Sequence, residues 1–219
     1  MTNAVPDVDH RSAQTVVADQ GDRPTCVSLA VTAAHEWMAG DLPALSAEFA
    51  HWAAKTRDGL AGEATTVRWA LTGIEAEGQA SETAWPYGRP RWPALPPAAA
   101  LDPGQRRHPG LWRRLGSVET GVLADVAADG AAVILTVGFV PQAWYVPQPG
   151  PLVDASSHAA RVGAHAVLVV GSRSAAGAFP NALMIKNSWG RWWGDGGYGY
   201  VAERYVDGFG VAAHVLEAA

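Results

Sequence analysis

Cys26 is the only cysteine in the 219-residue chain, so any nucleophilic sulfur chemistry must run through it. It follows a glycine-containing turn and Pro24, and opens the run CVSLAVTAAHEWMAG. There Leu29, Ala30, Ala33, Ala34, Trp37 and Met38 recur at helical spacing before Gly40 supplies a stop. The pattern predicts a helix whose first turn holds Cys26. Unpaired N–H groups and the positive end of the helix dipole favour the thiolate at such a place. A thiolate nucleophile asks for a base, and seven histidines are available; spacing alone does not choose among them. His165 stands out because GAHAVLVVG puts it at the head of an apolar strand, where backbone pairing would fix the ring. Asn187 opens NSWG at the end of the next apolar strand, and its amide could hold His165 in one tautomer and one orientation. Each residue also has a plainer reading: a lone cysteine packs as a small hydrophobe, a strand histidine can be a satisfied core residue, and an asparagine before a turn can be a turn residue.

The elements that must position these groups are legible in outline. LPALSAEFAHWAAK reads as a second helix with Ser46 as N-cap, and GEATTVRWALTGIEAEG as a third that starts near Thr65 or Thr66 and ends at Gly78. From Pro86 to Pro109 the chain carries seven of its 15 prolines, which predicts a partly extended connector with neither helix nor central strand. Arg106, Arg107, Arg113 and Arg114 cluster at its end, read as a solvated basic edge or a contact for an acidic peptide or partner. Next comes ETGVLADVAADG, a helix with Val122, Leu123 and Val126 inward. AAVILTVGFV, AHAVLVVGS, ALMIKNSWG and GYGYVAERY then read as strands. Helices first and strands later make the fold class α+β rather than alternating βαβ units.

Composition bounds the function. A net charge of −5 with 17% charged residues argues against nucleic acid or an anionic membrane as the main partner, and no run is long and apolar enough to span a bilayer. One cysteine and scattered histidines offer no metal-ligand spacing, and no cofactor motif appears. The N-terminus has neither a basic nor an apolar signal region, and one cysteine cannot form an internal disulfide. With 14 arginines against two lysines, these features point to a bacterial, cytoplasmic protein.

Four separated segments together resemble the papain-like cysteine peptidases. They are VDHRSAQTVVADQGDRPTC, LSAEFAHWAAK, the run GLAGEATTVRWALTGIEAEGQASETAWPYG, and HAVLVVG followed by IKNSWGRWWGDGGYGYV. The 139 residues (165 − 26) between Cys26 and His165 fall in the interval of about 130 to 150 known for that family. The resemblance implies one peptidase domain over residues 1–219, with a helical lobe over about 8–110 and an antiparallel, β-barrel-like lobe over about 111–219. The cleft would lie between the lobes. It implies Cys26 as nucleophile, His165 as base and then acid, Asn187 as orienter and Gln20 as side-chain donor to the oxyanion hole. Trp189 would shield the Asn–His hydrogen bond, Trp193 would floor the leaving-group side, and Gly62 and Ala166 would border the cleft.

The chain departs from the family beside the nucleophile, where a Cys-Gly pair upstream and an aromatic downstream are usual. Here Asp22, Arg23, Pro24 and Thr25 precede Cys26 and Val27 follows it. Arg23 reads either as an attractor of acidic residues beside the cleft or as a surface charge. Ala164 stands where many relatives carry Asp or Asn. No inhibitory pro-segment precedes the mature-like start, so a dedicated processing protease acting on a particular peptide or protein is expected. An acyl transferase, transpeptidase or macrocyclase on the same scaffold, or a silent peptide-binding module, are the alternatives.

Overall fold

In the computed structural model, which describes residues 5–40, 43–88, 90–145, 152–174 and 179–218, helices dominate the first half and strands the second. In chain order, β1 (Val8–Asp9) precedes α1 (Cys26–Ala39), α2 (Ala47–Asp58), α3 (Val67–Glu77) and α4 (Ala98–Leu101). Then follow β2 (Trp112–Arg114), α5 (Thr120–Ala128), β3 (Ala132–Phe139), α6 (Pro141–Trp144) and β4 (Leu152–Val153). The chain closes with β5 (Gly163–Arg173), β6 (Ala182–Lys186), β7 (Tyr198–Ala202), α7 (Glu203–Phe209) and β8 (Gly210–Leu216). The fold is α+β.

Helix boundaries follow local chemistry. The Ser46 hydroxyl accepts from the Phe49 N–H at 3.0 Å at the start of α2, and Thr66 caps α3 in the same way. Gly40 and Gly78, at φ 73° and 72°, end α1 and α3 in a conformation that side chains disfavour. Helices α2 and α3 approach closely because Gly73 faces Ala53: a Cβ there would lie 2.7 Å from the Ala53 carbonyl carbon.

The sheet runs β2-β8-β3-β5-β6-β7-β4, with β1 added alongside β5, and every pairing is antiparallel except that of β4 with β7. Strand β5 lies at its centre. Alternate residues feed two cores, which explains why β3 and β5 read as unbroken apolar runs. Val133, Leu135, Val137, Val167 and Val169 pack with α5, α6 and α7, whereas Ile134, Ala166, Leu168 and Val170 pack against Ala30, Val31 and Ala34 of α1. A third, smaller cluster joins Phe49, Trp85 and Ala100.

Four features differ from the sequence reading. The proline-rich connector does hold a short helix, α4, which fits because Pro97 stands just before it and Pro103 beyond it, where a missing N–H is tolerated. The GYGYV strand stops at Ala202, and Tyr205, Val206 and Phe209 bury one face of α7 in its place. Strands β1, β2, β4 and β8 and the short helix α6 carry too little periodicity for the sequence to mark them. On α5, Leu123, Ala124 and Ala127 turn inward while Val122 is 38% exposed.

Candidate active site

The first residue of α1 is Cys26, with its sulfur buried against the start of β5. Burial alone pushes the thiol up. The hydrogen bond and charge of His165, together with backbone donors at Ala166 and Val27, more than offset that, and the pKa lies below the ordinary thiol value. His165 is held in β5 opposite Val137 of β3, so a paired backbone on a central strand fixes its position. Its Nε2 lies 2.8 Å from Asn187 Oδ1, and that oxygen also accepts from the Ser188 N–H at 2.8 Å. Asn187 directly follows β6, the neighbour of β5, so adjacent strands bring two groups 22 residues apart into contact.

Aromatic rings enclose the pair. The indole of Trp144 meets His165 edge-on at 4.8 Å, and Trp189 lies 5.1 Å from it. Trp144 donates to the Tyr205 hydroxyl at 2.9 Å, and Tyr205 in turn donates to the Gly138 carbonyl, so the polar atoms of these two rings behind the histidine are paired. Trp193 is 2% exposed and sits behind Trp189 at 6.0 Å, donating to the Trp144 carbonyl, rather than at the cleft surface.

The loop before Cys26 is tied on both sides. Gln20 Nε2 donates to the Arg23 carbonyl at 2.7 Å, while its Oε1 accepts from Ser188 Oγ at 2.8 Å. The side chain of Gln20 therefore bridges the cysteine loop and the asparagine loop. Arg23 is neither a surface charge nor a cleft contact, which corrects both sequence readings. It is 3% exposed, with Nη1 and Nη2 on the two oxygens of Glu48 at 2.6 and 3.0 Å and Nε on Glu63 at 2.6 Å. Burial works against its charge, but Glu48 and Glu63 outweigh that and raise its pKa. Tyr87 lies beneath the guanidinium at 5.0 Å, and its hydroxyl contacts Thr25 and the Gln20 carbonyl.

On the far side of Asn187, the buried Lys186 ammonium donates to the Thr15 carbonyl at 2.9 Å and to the Thr15 hydroxyl at 3.1 Å. Burial lowers its pKa to about 8, with Glu36 opposing.

A cleft of about 940 Å³ runs past Cys26 and His165, and Gln20, Ala166 and Trp189 all line it. One wall is built from residues 64 to 68, ending in the first turn of α3; Gly62, exposed and at φ 77°, lies just outside the lining. Among the described residues no cluster of His, Cys, Asp and Glu could hold a metal, and no helix is long and apolar enough to cross a membrane. Sequence reasoning passed over Ser188, Tyr87 and Trp144. Ser188 was visible in NSWG and Tyr87 in the Pro-Tyr that ends the third segment, whereas nothing local marks Trp144.

Residues 149–218 match the model of the papain family cysteine proteases. Among solved structures, xylellain, a cysteine protease from Xylella fastidiosa, superposes with a TM-score of 0.82 at 19% identity over 98% of this chain and 86% of its own. A digestive procathepsin L 3 of Tenebrio molitor larval midgut gives 0.78 at 26% identity, over 99% of this chain and 72% of its own. A cysteine protease of Carica candamarcensis, solved in complex with E-64, gives 0.74 at 21% over 97% and 98%. A comparison with curated proteins gave no match. The match over the histidine and asparagine strands places residues 149–218 in likeness to the papain family of cysteine proteases, and the superpositions over nearly the whole chain give it the papain-like fold.

Proposed function

We propose that the chain hydrolyses peptide bonds through Cys26, His165 and Asn187, by way of a thioester on the cysteine. The carrying observation is the linked set at the cleft: a thiol whose pKa is lowered by His165, and a His165 ring held at 2.8 Å by Asn187. The Cys26 thiol gives its proton to His165 and its sulfur attacks the peptide carbonyl, whose oxygen gains negative charge until the C–N bond breaks. The Cys26 backbone N–H and the second N–H of Gln20 Nε2 meet that charge; preorganised donors of this kind contribute about 3 kcal/mol each. His165 then protonates the departing amine, and a water molecule activated by the same ring hydrolyses the thioester. Trp189 and Trp144 keep the His–Asn bond out of water.

The domain reading, one domain of two lobes over about 8–110 and 111–219, belongs to this proposal. The two large cores on opposite faces of the sheet support it. The expected role, a dedicated processing protease of a reducing, cytoplasmic compartment, belongs to the proposal as well; the single free cysteine and the buried ion pairs that tie the cysteine loop are in keeping with it. Cleavage of quenched peptides, with mass analysis of products with and without an added amine, tests hydrolysis against transfer. Cys26→Ala should abolish turnover, and His165→Ala should lose a comparable factor because the groups act as a unit. Turnover that survives His165→Ala would break the pairing. Rapid degradation of unrelated unfolded proteins would break the dedicated role alone.

A further inference from the structure

The four arginines that close the proline-rich connector do not share one environment. Arg106 pairs with Glu77, and Arg113 with Glu217 at 3.4 Å. Arg114 instead lines the cleft, and no carboxylate among the described residues pairs with it. Arg68, in the first turn of α3, lines the same cleft with its guanidinium over the Trp69 ring at 5.4 Å. His214 lies directly across from Arg114 in the β8–β2 pairing, so both project from one sheet face. It is 6% exposed, lines the cleft, and its Nδ1 has no hydrogen-bond partner among the described residues. Burial first, and the charge of Arg114 second, lower its pKa to about 4, so it is neutral where Arg114 is charged. The neighbouring acids are engaged elsewhere: Glu75 accepts from Trp112 Nε1 at 3.1 Å, and Glu217 holds Arg113. Asp19, which accepts from the Gly21 N–H, is the one carboxylate lining the cleft among the described residues, and it lies with Trp189, beside which its strand bridge forms.

The cleft thus runs from an acid near Trp189 to two arginines without acid partners, beside an unsatisfied imidazole nitrogen. Resting on the peptidase reading, we infer that the end formed by α3, β2 and β8 selects a peptide side chain bearing a carboxylate, with Arg114 as its ion-pair partner and His214 Nδ1 as a second donor. A guanidinium offers a planar fork that matches a carboxylate, and the buried imidazole supplies a direction that a surface charge lacks. A lysine or arginine side chain placed there meets like charge and a desolvated donor, and is rejected.

Quenched peptides carrying a single Glu, or its uncharged isostere Gln, at each of three positions on either side of the cleaved bond test this by kcat/KM. At one position Glu should exceed Gln by roughly 5- to 10-fold, with the advantage shrinking as salt is raised. That ratio should fall to near one in R114M, and R114E should favour Lys over Gln at the same position. Arg114 is exposed on an edge strand, so unchanged thermal midpoints are expected for both variants. A wild-type ratio near one at every position, or a ratio that survives R114M, overturns the inference and leaves the peptidase reading standing. A wild-type protein that cleaves no peptide and whose Cys26 resists iodoacetamide overturns both.

Discussion

Cys26 illustrates how two opposed effects set a side chain's chemistry. Its burial favours the neutral thiol, and only the histidine charge and the Ala166 and Val27 donors reverse that preference. Removing His165 should therefore leave the desolvation unopposed: in His165→Ala, alkylation of Cys26 by iodoacetamide should shift to higher pH, and an unshifted profile would mean that another group holds the thiolate. Gln20 is coupled differently. Its amide touches the Arg23 carbonyl and Ser188 but not the sulfur, so Gln20→Ala should slow turnover by roughly 10²-fold while leaving the alkylation profile in place. A loss of both together would assign Gln20 to forming the thiolate instead.

At the scale of elements, the loop from Gln20 to Thr25 is fixed by a buried arginine with two acids, drawn from α2 and from the wall beside α3. Breaking such a pair leaves an uncompensated buried charge, commonly worth about 3 to 5 kcal/mol. Arg23→Met should lower the urea midpoint sharply, since the almost wholly buried Glu48 loses its cation and keeps, among the described residues, the Gly88 N–H alone to meet its charge. The double variant Arg23→Met with Glu48→Gln should recover part of that loss; strict additivity would show that the two residues do not act as a pair. This tie also marks the limit of what the sequence reveals. Helical periodicity and caps placed α1 and α3 to within a residue or two and the start of α2 at its Ser46 cap, though α2 runs three residues past Lys55, and the strand runs set Asn187 one strand away from His165. No local pattern tells that residue 23 meets residues 48 and 63, because their approach depends on how helices pack, so a buried cation read as a surface or substrate-facing one. The same holds for Trp144, which reaches His165 only because β3 and β5 are neighbours, and for α7, where a strand pattern ends without a glycine or proline to mark it.

The whole molecule carries several buried bases whose titration should govern its acid stability. His51 and His214 are lowered from 6.5 to about 4, each chiefly by burial. The unfolded chain takes up those protons near 6.5 while the folded chain resists until about 4. Stability is therefore fully present above pH 6.5 and falls as the pH drops toward 4 and below. Urea midpoints measured across that window should show the slope, and His51→Gln should flatten it; an unchanged slope would assign acid sensitivity to other groups. Lys186, lowered from 10.5 to about 8, contributes in the same direction at the alkaline end, with stability rising as the pH passes from 8 toward 10.5. The long-range architecture has a further consequence in time. The helix that bears the sulfur leaves the ribosome 139 residues before the histidine that activates it, and β1, near the start of the chain, docks on β5 only once that strand exists. At roughly 5 to 20 residues per second, the thiol spends about 7 to 28 seconds of synthesis without its partner. On the proposed mechanism, a nascent chain cannot cleave a peptide until the strand that carries His165 has been made and has paired with its neighbours.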